Sequence, residues 1–255
     1  MARRDDNLQA RLERDLAELK LFEIAKSYRE VLDEAARKGT AMLEVLATLI
    51  GLELAAREQR ALQRRLREAR LPKSKTLAEY DFTFPKRIPR AAILRLFDCD
   101  FIAQHGCAIL IGGIGTGKSR LLTALGYTAV ERGHSVRHTR VVDMINHLTA
   151  AQLNGSLGKT LKSYVRPSLL LLDELGYLPI DKRGADLLFQ VVAARYEAGS
   201  IVITTNRPFR EWGKLFDVDN TLATAMIDRL MHHGEGLVIE GPSYRTNKDP
   251  DSTDP

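Results

Sequence analysis

GCAILIGGIGTGKS, residues 106–119, is the stretch of sequence that decides the fold of this 255-residue chain. A short apolar run at 107–111 leads into the pattern GxxxxGKS at 112–119. A segment with helical spacing follows the pattern and stops at Gly133. A strand, a glycine-rich turn and a helix in this order are the context of a phosphate-binding P-loop.

Each residue type in this loop has a physical reason. Glycines allow positive φ angles and a close approach of backbone N–H groups to a polyphosphate, and the helix that follows adds the positive end of its dipole. Lys118 supplies a charge for the β- and γ-phosphates, and the Ser119 hydroxyl is a ligand for Mg²⁺. We therefore predict ATP and Mg²⁺ as cofactors, with the nucleotide bound by Gly112, Gly113, Ile114, Gly115, Thr116, Gly117, Lys118, Ser119 and Arg120.

A second motif lies in SLLLLDELGYLPI, residues 168–180. Four consecutive leucines predict a strand that is buried on both faces, as in a parallel sheet. Asp173 and Glu174 follow at its carboxyl end, where open α/β sheets place their ligands. This is a Walker B pattern, in which Asp173 holds Mg²⁺ through its water shell and Glu174 orients and polarises the attacking water. An acidic turn after a buried strand is the structural alternative.

The strand predicted by SIVITTN, residues 200–206, ends at Asn206. An asparagine at this strand tip can hydrogen-bond the γ-phosphate or the lytic water, which is the role called sensor 1. Alternatively, Asn206 caps the turn that it forms with the following arginine and proline. The order P-loop, Walker B and polar strand tip favours the sensor role.

The composition excludes several classes of protein. Hydrophobic residues make up 44% and charged residues 28% of the chain, which is ordinary for a soluble globular protein. The longest apolar runs are too short to span a bilayer, and the first residues contain no apolar segment of a signal peptide. Two cysteines, Cys99 and Cys107, are too few for a metal cluster and predict free thiols in a reducing compartment. We expect a cytoplasmic protein without a membrane partner, and the net charge of +5 permits an anionic one.

The chain before the P-loop is helical in pattern. Regularly spaced leucines predict about three amphipathic helices, with Gly39 as a C-cap and Pro72 at the end of the last one. Alternate aromatics in the segment that follows indicate a strand-like linker along a domain edge, or a position near the adenine of the nucleotide. These aromatics are Tyr80, Phe82 and Phe84. The predicted division is a helical domain at 1–71, a linker at 72–90, an α/β domain at 91–245 and a disordered tail at 246–255.

The last predicted helix is rich in arginine. Residues 57–75 contain eight basic and two acidic side chains. The acids needed for pairing between residues four apart on a helix are nearly absent, so a solvated, self-paired helix face is the weaker interpretation. A stripe of arginines is suited to DNA phosphates, which position a protein without reading sequence. The predicted nucleic-acid contacts are Arg57, Arg60, Arg64, Arg65, Arg67, Arg70, Lys73 and Lys75.

The order of the predicted elements resembles an AAA+ core. Strands at 107–111, 135–140, 168–173, 200–204 and 237–240 alternate with helices, with Walker B on the third strand and sensor 1 on the fourth. We therefore expect an α/β fold, an AAA+ P-loop NTPase core of five parallel strands flanked by helices. A small all-helical N-terminal domain precedes it, and there is little or no C-terminal lid.

Several short sequence segments make the resemblance more specific than the AAA+ core. LLLLDELGYLPI, TTNRPFREWGKLF, MIDRLMHHG and IEGPSYR, together with the arginine-rich segment, resemble the IstB-like family, ATPase helper proteins of insertion-sequence transposition. The DnaC-like helicase loaders share the C-terminal core of this pattern. The resemblance implies that Arg229 is an arginine finger, which reaches across a subunit interface to the neighbour's γ-phosphate. Arg245 matches the sensor 2 position, where a surface role is the alternative because almost no chain follows for a lid.

The resemblance also implies a function. It implies an ATPase that forms a homo-oligomer on double-stranded DNA with little sequence preference and activates a cognate transposase. One alternative is a replicative helicase loader of the DnaC-like type, which acts on a protein ring and single-stranded DNA. Another is a non-hydrolysing scaffold that coats DNA and holds ATP only as a structural ligand.

Overall fold

The computed structural model of the chain describes residues 2–73, 77, 80–82, 87–216 and 220–243. The predicted contacts at Lys75 and Arg245, the aromatic Phe84 and the predicted tail at 246–255 lie outside the described residues. The chain divides into two compact units, Met1–Arg64 and Arg65–Pro255. The boundary falls within the third helix, whereas the sequence placed the end of the helical domain at residue 71.

The first unit is built from helices. They are α1 (Ala2–Glu18), α2 (Phe22–Lys38) and the first part of α3 (Met42–Ala69). One apolar residue or more from each helix is buried, including Leu16, Tyr28 and Val45. Helix α2 ends at Gly39, whose φ of 67° is left-handed and whose N–H donates to the carbonyl of Ala35. Glycine adopts this conformation without a Cβ penalty, as the predicted C-cap requires.

The second unit contains a five-stranded parallel sheet. Its strands are β1 (Cys107–Gly112), β2 (Val136–Arg140), β3 (Leu169–Leu175), β4 (Ser200–Thr205) and β5 (Gly234–Ile239). The spatial order is β2-β3-β4-β1-β5, and all neighbouring pairs are parallel. The predicted fold class is confirmed. The last strand begins three residues before the predicted position because Gly234 already pairs with Cys107.

Helices cover both faces of this sheet. Leu170 and Leu172 belong to the apolar cluster formed with the helices on one face, whereas Leu171 packs on Gly126 of the P-loop helix on the other. All three leucines are fully buried, as expected for a parallel strand. The helices are α4 (Arg90–Phe97), α5 (Asp100–Ala103), α6 (Lys118–Glu131), α7 (Val141–Leu153), α8 (Leu157–Val165), α9 (Lys182–Arg195), α10 (Trp212–Leu215) and α11 (Asn220–His232).

Strands β3, β4 and β1 are neighbours in the sheet, and their carboxyl ends lie side by side. The P-loop, the Walker B residues and Asn206 therefore share one edge of the sheet. Trp212 and Phe216 lie in the segment that follows β4, and both are fully buried in the apolar core. In the part of the chain that the structure describes, no helix has both the length and the apolar character needed to cross a membrane.

Candidate nucleotide-binding site

The P-loop connects β1 directly to α6, as the sequence predicts. Gly117 has a φ of 88° at the start of the helix, a conformation that a side chain would strain. Gly112 has a different reason to be glycine, because a Cβ there would lie 2.3 Å from the backbone oxygen of Ile239. The first glycine of the motif therefore permits close packing of β1 on the end of β5.

Lys118 is 3% exposed and folds back under the loop. Its Nζ donates to the carbonyl oxygens of Gly112 and Gly113, at 2.8 Å and 2.6 Å. The Thr116 hydroxyl donates to the Gly113 carbonyl at 2.9 Å. Backbone oxygens thus hold a buried ammonium group in the position from which it can reach a phosphate, and burial without such partners would be costly.

Ser119 and Asp173, the two predicted Mg²⁺ ligands, are in direct contact. The Ser119 hydroxyl donates to Oδ1 of Asp173 at 2.9 Å, and the Thr204 hydroxyl donates to the same carboxylate oxygen. Asp173 is 7% exposed, so its charge is largely removed from water. A hydroxyl and a carboxylate are hard oxygen ligands of the kind that Mg²⁺ prefers. The residues present therefore fit the predicted metal.

Glu174 occupies an unusual backbone conformation. Its φ is 63°, and the pairing of β3 with β4 shifts register between Leu172 and Leu175. A bulge of this kind re-aims side chains beside active sites. The Glu174 N–H donates to Asp173 Oδ1 at 3.1 Å and to Thr204 Oγ1 at 2.9 Å, which holds the left-handed conformation. Sequence reasoning missed Thr204, although its place at the end of the strand before Asn206 was a usable signal.

A cavity of about 200 Å³ lies against the loop. It is lined by the P-loop residues 115–120, by Glu174, by Tyr80 of the linker and by two residues that the sequence left without a site role, namely Asp81 and Tyr177. The cavity joins the predicted phosphate-binding backbone to the predicted catalytic carboxylate. This arrangement suits a nucleotide whose terminal phosphate points towards Glu174.

Tyr80 lies over the P-loop rather than at a distant domain edge. Its hydroxyl donates to the Thr116 carbonyl at 3.5 Å, and a Cβ on Gly117 would lie 2.9 Å from that hydroxyl. The Arg120 guanidinium carbon is 5.9 Å from the centre of the Tyr80 ring. Burial raises the pKa of Tyr80 to about 12. The alternating aromatics of the linker were the signal for this residue, whose contacts are with the phosphate loop; the position near the adenine stays a prediction.

Asn206 follows the last residue of β4, next to the Walker B turn. Its Oδ1 is buried and has no hydrogen-bond partner among the described residues. The turn that follows is capped by Thr205, whose Oγ1 accepts the Arg207 N–H at 3.0 Å, and Trp212 donates to the Arg207 carbonyl at 3.2 Å. Because Thr205 caps the turn, the capping alternative for Asn206 loses its support. A buried amide oxygen without a partner instead suits a ligand.

Arg229 lies at the opposite edge of the sheet from the P-loop. It borders a cleft with Cys107 and Ile201, at the amino ends of β1 and β4. Its Nη1 donates to the Ala225 carbonyl at 2.9 Å, and its guanidinium carbon is 4.9 Å from the centre of the Phe189 ring. The six residues of β1 span about 16 Å, so the two predicted elements of the site are not brought together within one chain.

The arginines of α3 fall into two groups. Arg57 and Arg60 each donate to Glu53 Oε1 at 3.0 Å. Glu53 is 3% exposed, and its other oxygen accepts the N–H of Glu23 at 2.7 Å, at the start of α2. Burial opposes ionisation of Glu53, but these hydrogen bonds outweigh it and lower its pKa. The expectation that acids for pairing are nearly absent is therefore wrong at Arg57, whose partner lies four residues before it.

The remaining predicted DNA contacts leave more of their charge available. Arg64, Arg67, Arg70 and Lys73 are exposed, and Arg65 is half-buried. Arg70 lies in a groove along the edge strand β2 with Arg137, Arg140 and His147, which we call the β2-edge groove. Arg140 forms two hydrogen bonds with Asp143. Arg137, which the sequence analysis did not select, adds a second arginine with no acidic partner among the described residues.

Comparison with known proteins decides the family. The model of the family described as IstB-like ATP binding protein matches residues 14–252. The chain belongs to the IstB-like family. The name of one relative, from Pseudomonas aeruginosa, assigns it to insertion sequence IS21 and to ATP binding. It is 38% identical to this chain, and the match covers 90% of this chain and 86% of the relative. A similarly named relative of insertion sequence IS232 from Bacillus thuringiensis is 34% identical over 94% of this chain and 95% of the relative.

Solved structures place the IstB-like chain in the AAA+ fold. AMPPCP-bound DnaA from Aquifex aeolicus has a TM-score of 0.56 and 22% identity, covering 67% of this chain. The IstB-like chain spans about half, 51%, of that DnaA chain. The DnaI structure has a TM-score of 0.55 and 19% identity, covering 69% of this chain and 92% of DnaI. At these identities, the likeness shows the fold alone.

Proposed function

We propose that this IstB-like protein is a Mg²⁺-dependent ATPase that assembles with further copies of itself on duplex DNA and activates a transposase. The observation that carries the ATPase part is the hydrogen-bonded network of Ser119, Asp173, Thr204 and the Glu174 N–H at the edge of the P-loop cavity. A protein that only stored ATP would not need a carboxylate held in a left-handed backbone conformation beside the phosphate loop.

Each residue of the site has a separate role in the in-line attack of water on the γ-phosphate. Lys118 exchanges its bonds with two carbonyls for phosphate oxygens and balances the developing charge. Ser119 and Asp173 hold Mg²⁺, which withdraws charge from the phosphates when it is bound. Glu174 accepts a hydrogen bond from the attacking water and orients it. The unpartnered Oδ1 of Asn206 receives a hydrogen bond from that water or positions it against the γ-phosphate.

The position of Arg229 supports a requirement for several copies. Within its own chain it lies about 16 Å or more from the phosphate loop, at the far end of β1. An arginine in this place contributes to hydrolysis only if it enters the site of another copy, as trans-acting fingers do. We therefore propose that hydrolysis depends on oligomerisation.

Duplex DNA is the proposed anionic partner. Arg67, Arg70 and Lys73 follow one another closely in the second unit, and Arg137 of the β2-edge groove extends this basic surface from Arg70. Contacts of this kind bind phosphates without reading bases. The transposase is proposed because three relatives that are 34–38% identical carry the names of insertion sequences.

A helicase loader is the second candidate. It is favoured by the fold likeness to DnaI and to the DnaC helicase loader, which this chain covers by 92% and 93%. Against it, their identities to this chain are 19% and 20%, below those of the insertion-sequence relatives. A non-hydrolysing scaffold is disfavoured by the geometry of Glu174 and Asn206.

The deciding experiment measures ATP hydrolysis with and without duplex DNA, alongside sizing of the same mixtures. We expect turnover that duplex DNA stimulates and that rises more steeply than protein concentration. The Arg229→Ala control should bind nucleotide without turning it over. Stimulation by single strands alone would indicate the loader, and bound ATP without turnover in any condition would indicate the scaffold.

A further inference from the structure

Three metal-ligating side chains meet at the edge of the sheet opposite the P-loop. His232 ends α11, His233 follows it, and Glu197 lies in the turn between α9 and β4. One ligand atom from each of the three lies within 4.8 Å of the others. Nε2 of His233 is 3.7 Å from Oε1 of Glu197. Two imidazoles and a carboxylate form a donor set that borderline transition metals prefer and that Mg²⁺ does not.

The imidazole of His232 is oriented by a neighbour, as metal-binding histidines are. Its Nδ1 is 2.9 Å from the hydroxyl of Tyr196. With Nδ1–H as the donor to this hydroxyl, Nε2 of His232 keeps its lone pair for a ligand, and the bond fixes the plane of the ring. Hydrogen bonding of the second ring nitrogen is the usual support for a histidine ligand. The two histidine rings lie with their centres 4.2 Å apart.

The backbone that carries Glu197 is held in place. Its φ of 55° is left-handed, an uncommon conformation for a residue with a side chain. The N–H groups of Ala198 and Gly199 both donate to the Arg195 carbonyl at 3.0 Å. The buried Arg195 guanidinium in turn donates to the carbonyls of Ser168 and Ser200, at 3.1 Å and 2.7 Å. The carboxylate is therefore presented from a rigid turn.

The histidine side of the cluster is also fixed. The carbonyl of His233 accepts the N–H of Cys107, the first residue of β1, at 3.0 Å. The carboxyl end of an α-helix carries partial negative charge, which favours a bound cation. Arg229 lines the same cleft as Glu197 and His233, and its guanidinium is engaged by the Ala225 carbonyl and the Phe189 ring.

We propose that Glu197, His232 and His233 bind one divalent transition metal ion of the Zn²⁺ class. The three side chains are exposed, so water completes the coordination. The ion joins the end of α11 to the turn after α9 and thereby stiffens the helix that presents Arg229 three residues earlier. The site is separate from the P-loop, and its test does not depend on the proposed ATPase activity.

The test is a titration of the full-length, tag-free protein with Co²⁺, followed by its visible absorption, and then competition with Zn²⁺. We expect one equivalent to bind and Zn²⁺ to displace it. His233→Ala and Glu197→Gln should each weaken binding at least tenfold. Thermal melting with and without Zn²⁺ gives a second readout, in which wild type gains stability through mass action and His233→Ala does not.

His147→Ala is the matched control. His147 is also exposed, and its Nδ1 is 2.8 Å from the hydroxyl of Tyr164, but it belongs to no three-ligand group among the described residues. We expect this variant to bind Co²⁺ as wild type does. Absence of saturable binding, or unchanged affinity in both cluster variants, would overturn the proposal. A thiolate-to-cobalt absorption band would also overturn it, because it would place the ion on Cys99 or Cys107.

Discussion

The Thr204→Val substitution removes one hydroxyl from the candidate site and keeps the shape of the side chain. Thr204 Oγ1 donates to the Asp173 carboxylate and accepts the Glu174 N–H at 2.9 Å. A hydrogen bond to a charged group contributes about 1.5–3 kcal/mol to stability. The Glu174 N–H keeps its second acceptor, Asp173 Oδ1 at 3.1 Å. We therefore expect the free energy of unfolding to fall by about 2–3 kcal/mol.

This loss is measurable by heat and by turnover. In a domain of this size, each kcal/mol changes Tm by about 2–4 °C, so Tm should fall by about 4–12 °C. Glu174 loses part of the support for its left-handed conformation. A loss of about 1.4 kcal/mol of transition-state stabilisation lowers kcat about tenfold. Nucleotide affinity should stay within about twofold, because Lys118 and its carbonyl partners are unchanged.

Thr204→Ser is the control, since it retains the hydroxyl. We expect its kcat to lie within about twofold of wild type. Steady-state ATP turnover, binding of a fluorescent nucleotide and thermal melting are measured on all three proteins. Equal kcat and Tm for the valine and serine variants would refute the argument that the hydroxyl positions Glu174.

Four further predictions test other contacts. Glu174→Gln should lower kcat about 10²–10⁴-fold while nucleotide binding persists; rapid turnover would exclude it as the group that orients water. Arg229→Ala should lower turnover about 10³-fold or more. Equal turnover by the variant and the wild-type protein would contradict a finger role. Gly126→Ala should lower the free energy of unfolding by about 1–3 kcal/mol, measured by urea unfolding, because a Cβ there would lie 2.4 Å from Leu71; unchanged stability would show that the Leu71 side chain moves aside at no cost. Burial raises the pKa of Tyr80 to about 12 in the folded protein, against a usual value near 10. The folded state therefore holds this proton more tightly than the unfolded state. The resulting contribution to stability is present below about pH 10 and is lost as the pH rises towards about 12. Tyr80→Phe should therefore lose less stability over that interval in urea titrations, and parallel curves for the two proteins would contradict the assignment.

The order of elements and most of the nucleotide site followed from local patterns. The GxxxxGKS loop, the four leucines before Asp173 and the strand ending at Asn206 each carry their information within a few residues. Parallel strands align their carboxyl ends, so these three signals were sufficient to place the chemistry at one edge of a sheet. The sheet order and all four parallel pairings agree with that expectation.

Contacts between distant residues had weaker local signals, which did not identify the partner. Thr204 is recognisable as a support for Asp173 only when β3 and β4 are paired, and Tyr80 only when the linker lies on the glycine at the start of α6. The pairing of Arg57 with Glu53 is local, four residues apart on α3, but the burial of Glu53 and its bond from the Glu23 N–H depend on the packing of α2. The exposed cluster of Glu197, His232 and His233 likewise joins residues that are remote in the chain.

The sequence by itself determined the P-loop, the Walker B acids and the α/β order, because each depends on residue types at fixed spacing along one element. Only the tertiary structure decided which hydroxyl holds Asp173, which arginines remain available and which edge of the sheet carries Arg229. The physical reason is that hydrogen bonds and burial depend on distances of a few ångströms between elements. Such distances are fixed when side chains pack, and not by the order of residues along the chain.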